Sequence, residues 1–375
     1  MELTVVGNPG HRRVRLFAAA ALAAGWPPPT VLAWRDVLCG APPPAAGTLV
    51  RVESPGEDAT VDRLLRGADR PARHGELIGS AAWYSGLVRA VNGLASGGAR
   101  LLSDPDDIAV LCDKRRCHDL LAAAGVPVPG ALGPVRSYAG LRAAMAAAGW
   151  SRVFVKPAHG SSAAGVVALA VSGPRIRAVT SIELTDDALF NSLRVRRYDR
   201  EGDVAAIVDR LATDRLGGPL HVERWLPKVG LGDRVVDVRV VVVAGRATHA
   251  VVRAARGPLT NLHLGNARGD LAELRAAAGP RNWAAALQTC ERVAACFPRT
   301  LQVGVDLMFL VGWRRHAVAE VNAFGDLLPG VFADGRDTYA EQVCALAGGR
   351  WPLPAPAQGG TGQSERGVEV PWCVS

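Results

Sequence analysis

Apolar residues in this chain fall into short strand-like runs and longer helix-like stripes. Residues 3–6 are a continuous apolar run halted by Gly7, Asn8 and Pro9, which predicts a buried strand. Residues 11–24 repeat apolar positions at helical spacing and stop at Gly25, which predicts an amphipathic helix. Two more strands are expected at 30–34 and 48–53, so residues 1–105 read as an α/β unit. Asp104-Pro105 supplies an N-cap and a proline at the first position of a further helix. A helix over 114–124 ends at Gly125, the Val-Pro alternation of 126–129 makes an extended connector, and an Ala-rich helix over 138–148 stops at Gly149.

From residue 152 the pattern becomes mostly β. A strand over 152–155 is ended by Pro157. A loop of small residues covers 158–165, and a strand over 166–171 follows. Strands are expected at 176–184, 189–198 and 221–225, with a helix near 204–212. Long β runs at 235–243 and 248–253 precede a Gly/Asn-rich loop at 257–270 and a helix over 282–296. Residues 303–310 and 316–321 form a hairpin, and 338–346 a closing helix. From 351 the chain is rich in Pro, Gly and Ser and reads as a flexible tail over 351–375. No internal repeat is present.

With 375 residues the chain exceeds one compact core, and two or three domains are expected. Hydrophobic residues at 49% and charged residues at 21% fit a globular protein. The apolar opening is too short for a signal peptide and lacks a basic leader, and no stretch spans a bilayer, so no membrane association and a cytoplasmic location are expected. Seven cysteines, an odd number, show neither C-x-x-C pairs nor zinc-finger spacing, and reduced, mostly buried thiols are expected. A net charge of +8 raises nucleic acid as a partner. The basic residues are scattered without interleaved aromatics, however, which argues against it; an Arg-rich surface with a polyanion-binding cleft accounts for the charge equally well. Of 43 Lys+Arg only Lys114, Lys156 and Lys228 are lysines. A retained lysine marks a place where a compact ammonium is needed in preference to a planar fork.

The hairpin carries the densest chemistry. Glu320 and Asn322 are two apart on a strand and share a face. If a symmetric turn pairs Leu310 with His316, Asp306 falls opposite Glu320, with Asn322 diagonally adjacent. Two opposed carboxylates repel unless a cation lies between them. A hard divalent cation such as Mg²⁺ suits three oxygen ligands and keeps positions for phosphates. A proton shared between the carboxyls, or a solvated edge pair, are the alternatives. The loop after Lys156 has backbone N–H groups and small side chains able to fold over phosphates, with the lysine adding point charge; a plain hairpin turn is the alternative. It is not a Walker A loop. The loop at Gly7-Asn8-Pro9-Gly10 lacks the dinucleotide glycine spacing and reads as a tight turn.

Asp113-Lys114, 124–129, 153–157, 160–166, Glu223-Arg224-Trp225-Leu226, Asp237-Val238-Arg239, 260–265, Gly304-Val305-Asp306 and Glu320-Val321-Asn322 occur in one order over roughly 105–330. This ordered set resembles the ATP-grasp superfamily, and most its branch of ribosomal-protein glutamate ligases and glutathione synthetases. The resemblance implies an α/β (α+β) ATP-grasp fold with an N-terminal Rossmann-like pre-ATP-grasp domain at 1–105. A subdomain carrying the phosphate loop would occupy 106–215, and one carrying the Mg site 216–350. It implies ATP and Mg²⁺ as cofactors and a carboxylate–amine ligase acting through an acyl phosphate, on small-molecule or peptide carboxylate and amine substrates, with an amino acid or peptide as the best class. An ATP-binding regulatory module without catalysis is the alternative, and a homo-oligomer is left open.

The resemblance also implies roles. Lys114 and Lys156 contact phosphates, and the loop with Gly160, Ser161, Ser162 and Gly165 closes over them. Glu223, Arg224, Trp225 and Leu226 form the adenine hinge, and Asp233 meets the ribose. Asp306, Glu320 and Asn322 hold Mg²⁺; Arg239, Arg253 and Asn261 face the γ-phosphate and the acyl phosphate. Lys228 is expected at the surface or cleft rim. Ala163 and Ala164 in the phosphate loop, Leu264 and Asn266, and Phe324-Gly325-Asp326 depart from the family pattern. These departures are expected near the acceptor or donor substrate.

Overall fold

The computed structural model describes residues 2–160, 163–213 and 218–351. The chain opens with β1 (Leu3–Gly7), α1 (Arg12–Ala23), β2 (Thr30–Ala33), α2 (Trp34–Leu38), β3 (Leu49–Val52), α3 (Ala59–Arg66), α4 (Ser80–Ala95) and β4 (Arg100–Leu101). The four strands form one parallel sheet in the order β2-β1-β3-β4. Every residue of β1 and β3 is buried, as a parallel strand covered on both faces requires. Helices α2, α3 and α4 were not anticipated. Asp58 caps α3 by accepting from the Thr60 and Val61 amides, and Gly67 closes it in a left-handed conformation. Both end signals are present in the sequence, but eight residues are too few to establish a period. Trp34, expected at a strand end, begins α2 and is fully buried.

Three helices follow: α5 (Pro105–Leu111), α6 (Lys114–Ala123) and α7 (Tyr138–Ala147). The second sheet is antiparallel, in the order β8-β7-β6-β5-β9. Its strands are β5 (Arg152–Lys156), β6 (Val167–Ser172), β7 (Arg175–Leu184), β8 (Leu189–Tyr198) and β9 (His221–Arg224), with α8 (Glu201–Leu211) between the last two. Leu141 and Met145 of α7 and Val204, Ile207, Val208 and Leu211 of α8 cover Val153, Val155, Val167 and Leu169. Phe154, Lys156 and Glu223 project from the opposite face.

The third sheet has six strands in the order β13-β12-β11-β14-β15, with β10 paired to β11. They are β10 (Gly230–Leu231), β11 (Arg234–Val243), β12 (Arg246–Ala255), β13 (Ala267–Gly269), β14 (Gln302–Phe309) and β15 (His316–Asn322); α9 (Leu271–Ala295) precedes β14 and α10 (Thr338–Ala347) closes the chain. Leu274, Trp283, Cys290 and Val293 of α9 cover Val238, Val305, Leu307 and Phe309. Helix α9 starts eleven residues before the expected 282, capped by Asp270. Gly279 (φ 75°, ψ 156°) followed by Pro280 kinks it, and that dipeptide reads as a breaker in the sequence.

Asp326, expected near a substrate, is closed off from any cleft. It is fully buried and accepts from Arg13 Nη1 at 2.8 Å, Arg51 Nη2 at 2.6 Å and Gln342 Nε2 at 3.0 Å. The departure at this position therefore joins β3 and α1 of the first sheet to α10. Trp351, placed at the start of the tail, is buried with Tyr339 and Leu346, while 352–375 lie outside the described residues.

Candidate active site

The third sheet presents a row of charge on the face away from α9. Asp306 pairs directly with Glu320 across β14 and β15, as the symmetric turn required, but by another route. Phe309, not Leu310, pairs with His316, and the offset is taken up by a register shift between Asp306 and Leu307. Ala319 is the extra residue of that bulge. The bulge resolves a conflict in the sequence. Val318 and Val321 both enter the α9 core, which strict alternation forbids, and the inserted residue returns Glu320 and Asn322 to the Asp306 face. Gly304 is needed here for a different reason. A Cβ there would lie 2.6 Å from the Cα of Gly325, where the loop after β15 crosses the strand. The Asn322 side chain donates to the Gly304 carbonyl at 3.4 Å.

The row continues across the sheet. Arg239 pairs with Asp306 across β11 and β14, and Asp237 with Arg253 across β11 and β12. Arg239 forks onto Asp306, with Nη2 at 3.1 Å from Oδ2, and its Nη1 donates to the Gly325 carbonyl at 3.2 Å. Arg253 donates to Asp237 at 2.7 Å and to Asp306 at 3.2 Å. Burial raises the pKa of both carboxyls, but Arg239 and Arg253 outweigh it at Asp306, and Arg253 and Lys228 at Asp237, holding both below the ordinary range. Lys228 is not at the surface. Its side chain is 9% exposed and donates to Asp237 and Thr260, both at 2.9 Å, while Thr260 donates to Asp237. Asp237, Thr260 and Lys228 are the residues that role assignment overlooked. Their signal is Asp237-Val238-Arg239, two charges at period two inside an otherwise apolar strand.

The second sheet brings its lysine onto this row. Lys156 donates to Glu223 at 2.7 Å and to the carbonyl of Ala319, the bulge residue, at 3.4 Å. Burial pushes the Glu223 pKa up, but Lys156 and His221 bring it down to about 2. Lys114, at the start of α6, pairs with Glu320 at 2.9 Å and donates to the Gly160 carbonyl at 2.6 Å. Burial lowers the Lys114 pKa, and Glu320 more than offsets it. The loop root is tied again where the Lys114 amide donates to Ala158 at 2.9 Å. Gly160 (φ 149°) and Gly165 (φ 73°) hold conformations that favour glycine, and a Cβ on Gly165 would lie 2.6 Å from Pro157. Ala163 takes φ 60° and packs with Val166 against Leu259 and Leu264 of the third-sheet side. Ser161 and Ser162 lie outside the described residues.

Leu226 joins Met308, Leu310, Ala317 and Ala319 in an apolar cluster beside Lys156. Trp225 packs on Phe154 with ring centroids 5.2 Å apart, while Arg224 turns the other way, over Trp150. Asp233 is not brought to the group. It is 68% exposed and paired with Arg256 at 3.2 Å. Asn261 accepts from the His263 amide at 2.9 Å, capping the turn 262–264.

Among the described residues Lys156 lies against the hairpin, with no gap of nucleotide size between them. The cavity lined by Lys114, Cys117, His118, Lys156, Glu223, Ala319 and Glu320 measures about 20 Å³, room for one water. A depression of about 760 Å³ opens behind Leu226 and Leu310 but carries none of these carboxylates or lysines. Among the described residues no three His, Cys, Asp or Glu side chains gather as a metal cluster, and no helix is long and apolar enough to cross a membrane.

No protein-family model matches the chain. The D-cycloserine synthetase DcsG superposes with a TM-score of 0.56 at 16% identity, over 92% of this chain and 99% of that one. The ATP-grasp ligase PsnB, complexed with a minimal precursor, superposes with a TM-score of 0.52 at 16% identity, over 93% and 99%. The chain has the ATP-grasp fold. N5-carboxyaminoimidazole synthase from Aspergillus clavatus, in complex with ADP and 5-aminoimidazole ribonucleotide, gives a TM-score of 0.53 at 12% identity, over 95% and 79%. Among curated proteins, tetrahydromethanopterin:alpha-L-glutamate ligase of Methanosarcina acetivorans is 29% identical over 172 residues. That stretch is 45% of this ATP-grasp chain and 44% of the ligase, so the match spans less than half of either protein.

Proposed function

We propose that the chain is an ATP-dependent ligase that joins a carboxylate to an amine, with an amino acid or peptide among its substrates. The observation carrying this reading is the row Arg253, Asp237, Arg239, Asp306, Glu320 on one sheet face, met by Lys156 and Lys114 from the phosphate-loop side. Fixed charges of both signs in a buried cleft are what phosphoryl transfer requires, because positioning and electrostatics supply most of its catalysis. That similar folds belong to named ligases supports it.

The donor set fits Mg²⁺. Asp306, Glu320 and Asn322 offer hard oxygens on adjacent positions of one face, and Asp306 is held ionised. When bound, Mg·ATP supplies the phosphoryl group that a substrate carboxylate accepts with loss of ADP; an amine then attacks the acyl carbon and expels phosphate. Lys156 and Lys114 bind phosphate oxygens. Arg239 and Arg253, anchored by Asp306 and Asp237, set guanidinium donors toward the transferred group. Leu226, Met308 and Ala319 give the adenine an apolar wall, and the backbone of 224–226 its polar contacts. Lys156 rests on Ala319, so a nucleotide bound between them would have to part β5 and β9 from β15.

The test is ADP and phosphate release with pooled amino acids and peptides, alongside thermal stabilisation by Mg·ATP. Release that needs both an acid and an amine supports ligation. Stabilisation with no release under any pairing returns the non-catalytic module, and no stabilisation removes the nucleotide.

A further inference from the structure

His221 has no part in the roles assigned above, yet it is buried against them. It lies directly opposite Lys156 in the β5–β9 register, with Glu223 two residues further on the same face. The Glu223 carboxylate is divided between the two. Its Oε2 accepts from Lys156 Nζ at 2.7 Å, and its Oε1 accepts from His221 Nε2 at 2.8 Å. All three side chains are at least nine-tenths buried. Burial lowers the His221 pKa, so the imidazole is neutral and its single proton sits on Nε2, where the carboxylate fixes it.

A second histidine backs the first. His118 of α6 stacks obliquely on His221, ring centroids 5.1 Å apart, and donates from Nε2 to the Pro129 carbonyl at 2.7 Å. The following connector residues are tied to the same strand, where the Arg224 amide donates to Gly130 at 2.8 Å and Ala131 bridges Glu223. Glu223 is thus held from behind and from the side, and neither oxygen is left over for the adenine.

We infer that His221 is a positioning residue for the nucleotide site: it holds Glu223 in the rotamer that aims the Lys156 ammonium at the phosphates. Glu223 then serves as the holder of the lysine, and the adenine is read by the hinge backbone alone. A carboxylate with one oxygen released can rotate about its last bond, taking the lysine with it. Orienting partners behind metal-ligating side chains typically contribute about 10- to 100-fold in affinity, and the lower end of that range is the scale taken for a partner behind a phosphate-binding lysine.

The inference rests on the reading that Lys156 contacts phosphate, so the experiment separates the two. Calorimetric binding of Mg·ADP is measured on the full chain for wild type, His221→Leu, Lys156→Met and the double variant. His221→Leu is expected to weaken binding about tenfold, and His221→Gln, which keeps an N–H donor, to recover most of it. In the Lys156→Met background His221→Leu is expected to add nothing, because residues acting through one another are not additive. Equal binding by His221→Leu and wild type overturns the inference. So does a tenfold loss that persists without Lys156, which is the signature of a merely structural role. If His221→Leu does not fold, His221→Met and His221→Gln are read in its place: loss in the first with retention in the second supports the inference, and equal binding overturns it. A wild type that does not bind Mg·ADP fails the nucleotide reading itself, and the inference falls with it.

Discussion

Two clusters of charge are buried among the described residues around Asp326 and Asp306, and they look alike in exposure and ion-pair distance. One joins the first sheet to α10: Arg51 is 4% exposed and pairs with Glu53 and Asp326, both at 2.6 Å, while Arg13 reaches Asp326 at 2.8 Å. The other lines the cleft, where Arg253 and Lys156 make ion pairs at 2.7 Å. Titration is displaced in both, so displacement does not separate a site from a weld. Surroundings do. Around the weld, Phe17 and Tyr339 lie on the Arg51 guanidinium with ring centroids at 4.4 and 5.3 Å, within an apolar core cluster of the first sheet and α10. In the cleft the charges stand on one sheet face and are met by a lysine from another sheet, across an interface with a cavity and an apolar wall. A buried ionic cluster reads as chemistry when the elements holding it can separate.

The largest expected difference is in turnover. Glu320→Gln removes a carboxylate from the proposed metal set, and turnover is expected to fall by about a thousandfold, the equivalent of several kcal/mol of lost charge stabilisation. Its effect on unfolding is expected to be under about 1 kcal/mol, since Glu320 is 31% exposed and its pair with Lys114 is partly solvated. Undiminished ATP consumption would remove Glu320 from the site. Asp326→Asn should do the reverse. It leaves Arg51 buried with half its compensation, so urea denaturation is expected to show a loss of about 3 kcal/mol, with activity per folded molecule unchanged. A variant that folds normally but turns over no substrate would put Asp326 in the site and dissolve the contrast.

The cleft was more legible than the weld, for physical reasons. Period two put Glu320 and Asn322 on one face, the assumed turn set Asp306 opposite Glu320, and the ordered motifs pointed to a known fold. The bulge at Ala319 was hidden because the turn was assumed symmetric, and two errors of register cancelled. Lys228 was misplaced because nothing local shows that Asp237 and Thr260, 9 and 32 residues away, close around it. The weld was invisible for the same reason on a larger scale. Arg51 and Asp326 are 275 residues apart, and a lone Asp after Phe-Gly carries no period. Helix α3 lacked only length, since Asp58 and Gly67 mark its two ends, whereas α4 begins at Gly79 with no side-chain cap to announce it.

Acid sharpens the comparison further. A carboxylate whose folded pKa lies below its unfolded value stabilises the fold above the unfolded value, and that contribution disappears as pH falls through the folded one. Glu223, Asp237 and Asp306 are all lowered, Glu223 from 4.5 to about 2. The cleft therefore loses stability steadily from near pH 4.5 downward, and Lys156→Met, which takes away the main cause for Glu223, is expected to flatten that part of the profile of unfolding free energy against pH. A slope unchanged by the substitution would mean that Lys156 does not hold Glu223 ionised.

In the weld the signs oppose each other. Asp326 is lowered by Arg51 and Arg13, but Glu53 is raised, because burial outweighs its single partner Arg51. Its Oε1 accepts from Arg51 while its Oε2 meets no partner. A raised carboxyl weakens the fold at pH values above its folded pKa and ceases to do so below the unfolded value of 4.5. Glu53→Gln keeps an acceptor for Arg51 and removes the ionisation. It is therefore expected to shift unfolding free energy by no more than about 1 kcal/mol, and to compare better with wild type at pH 7 than at pH 4. Urea denaturation at the two pH values reads the sign directly. The opposite ordering would make Glu53 a well-paired anion like Glu223, and the two clusters would then be separated by their openness alone.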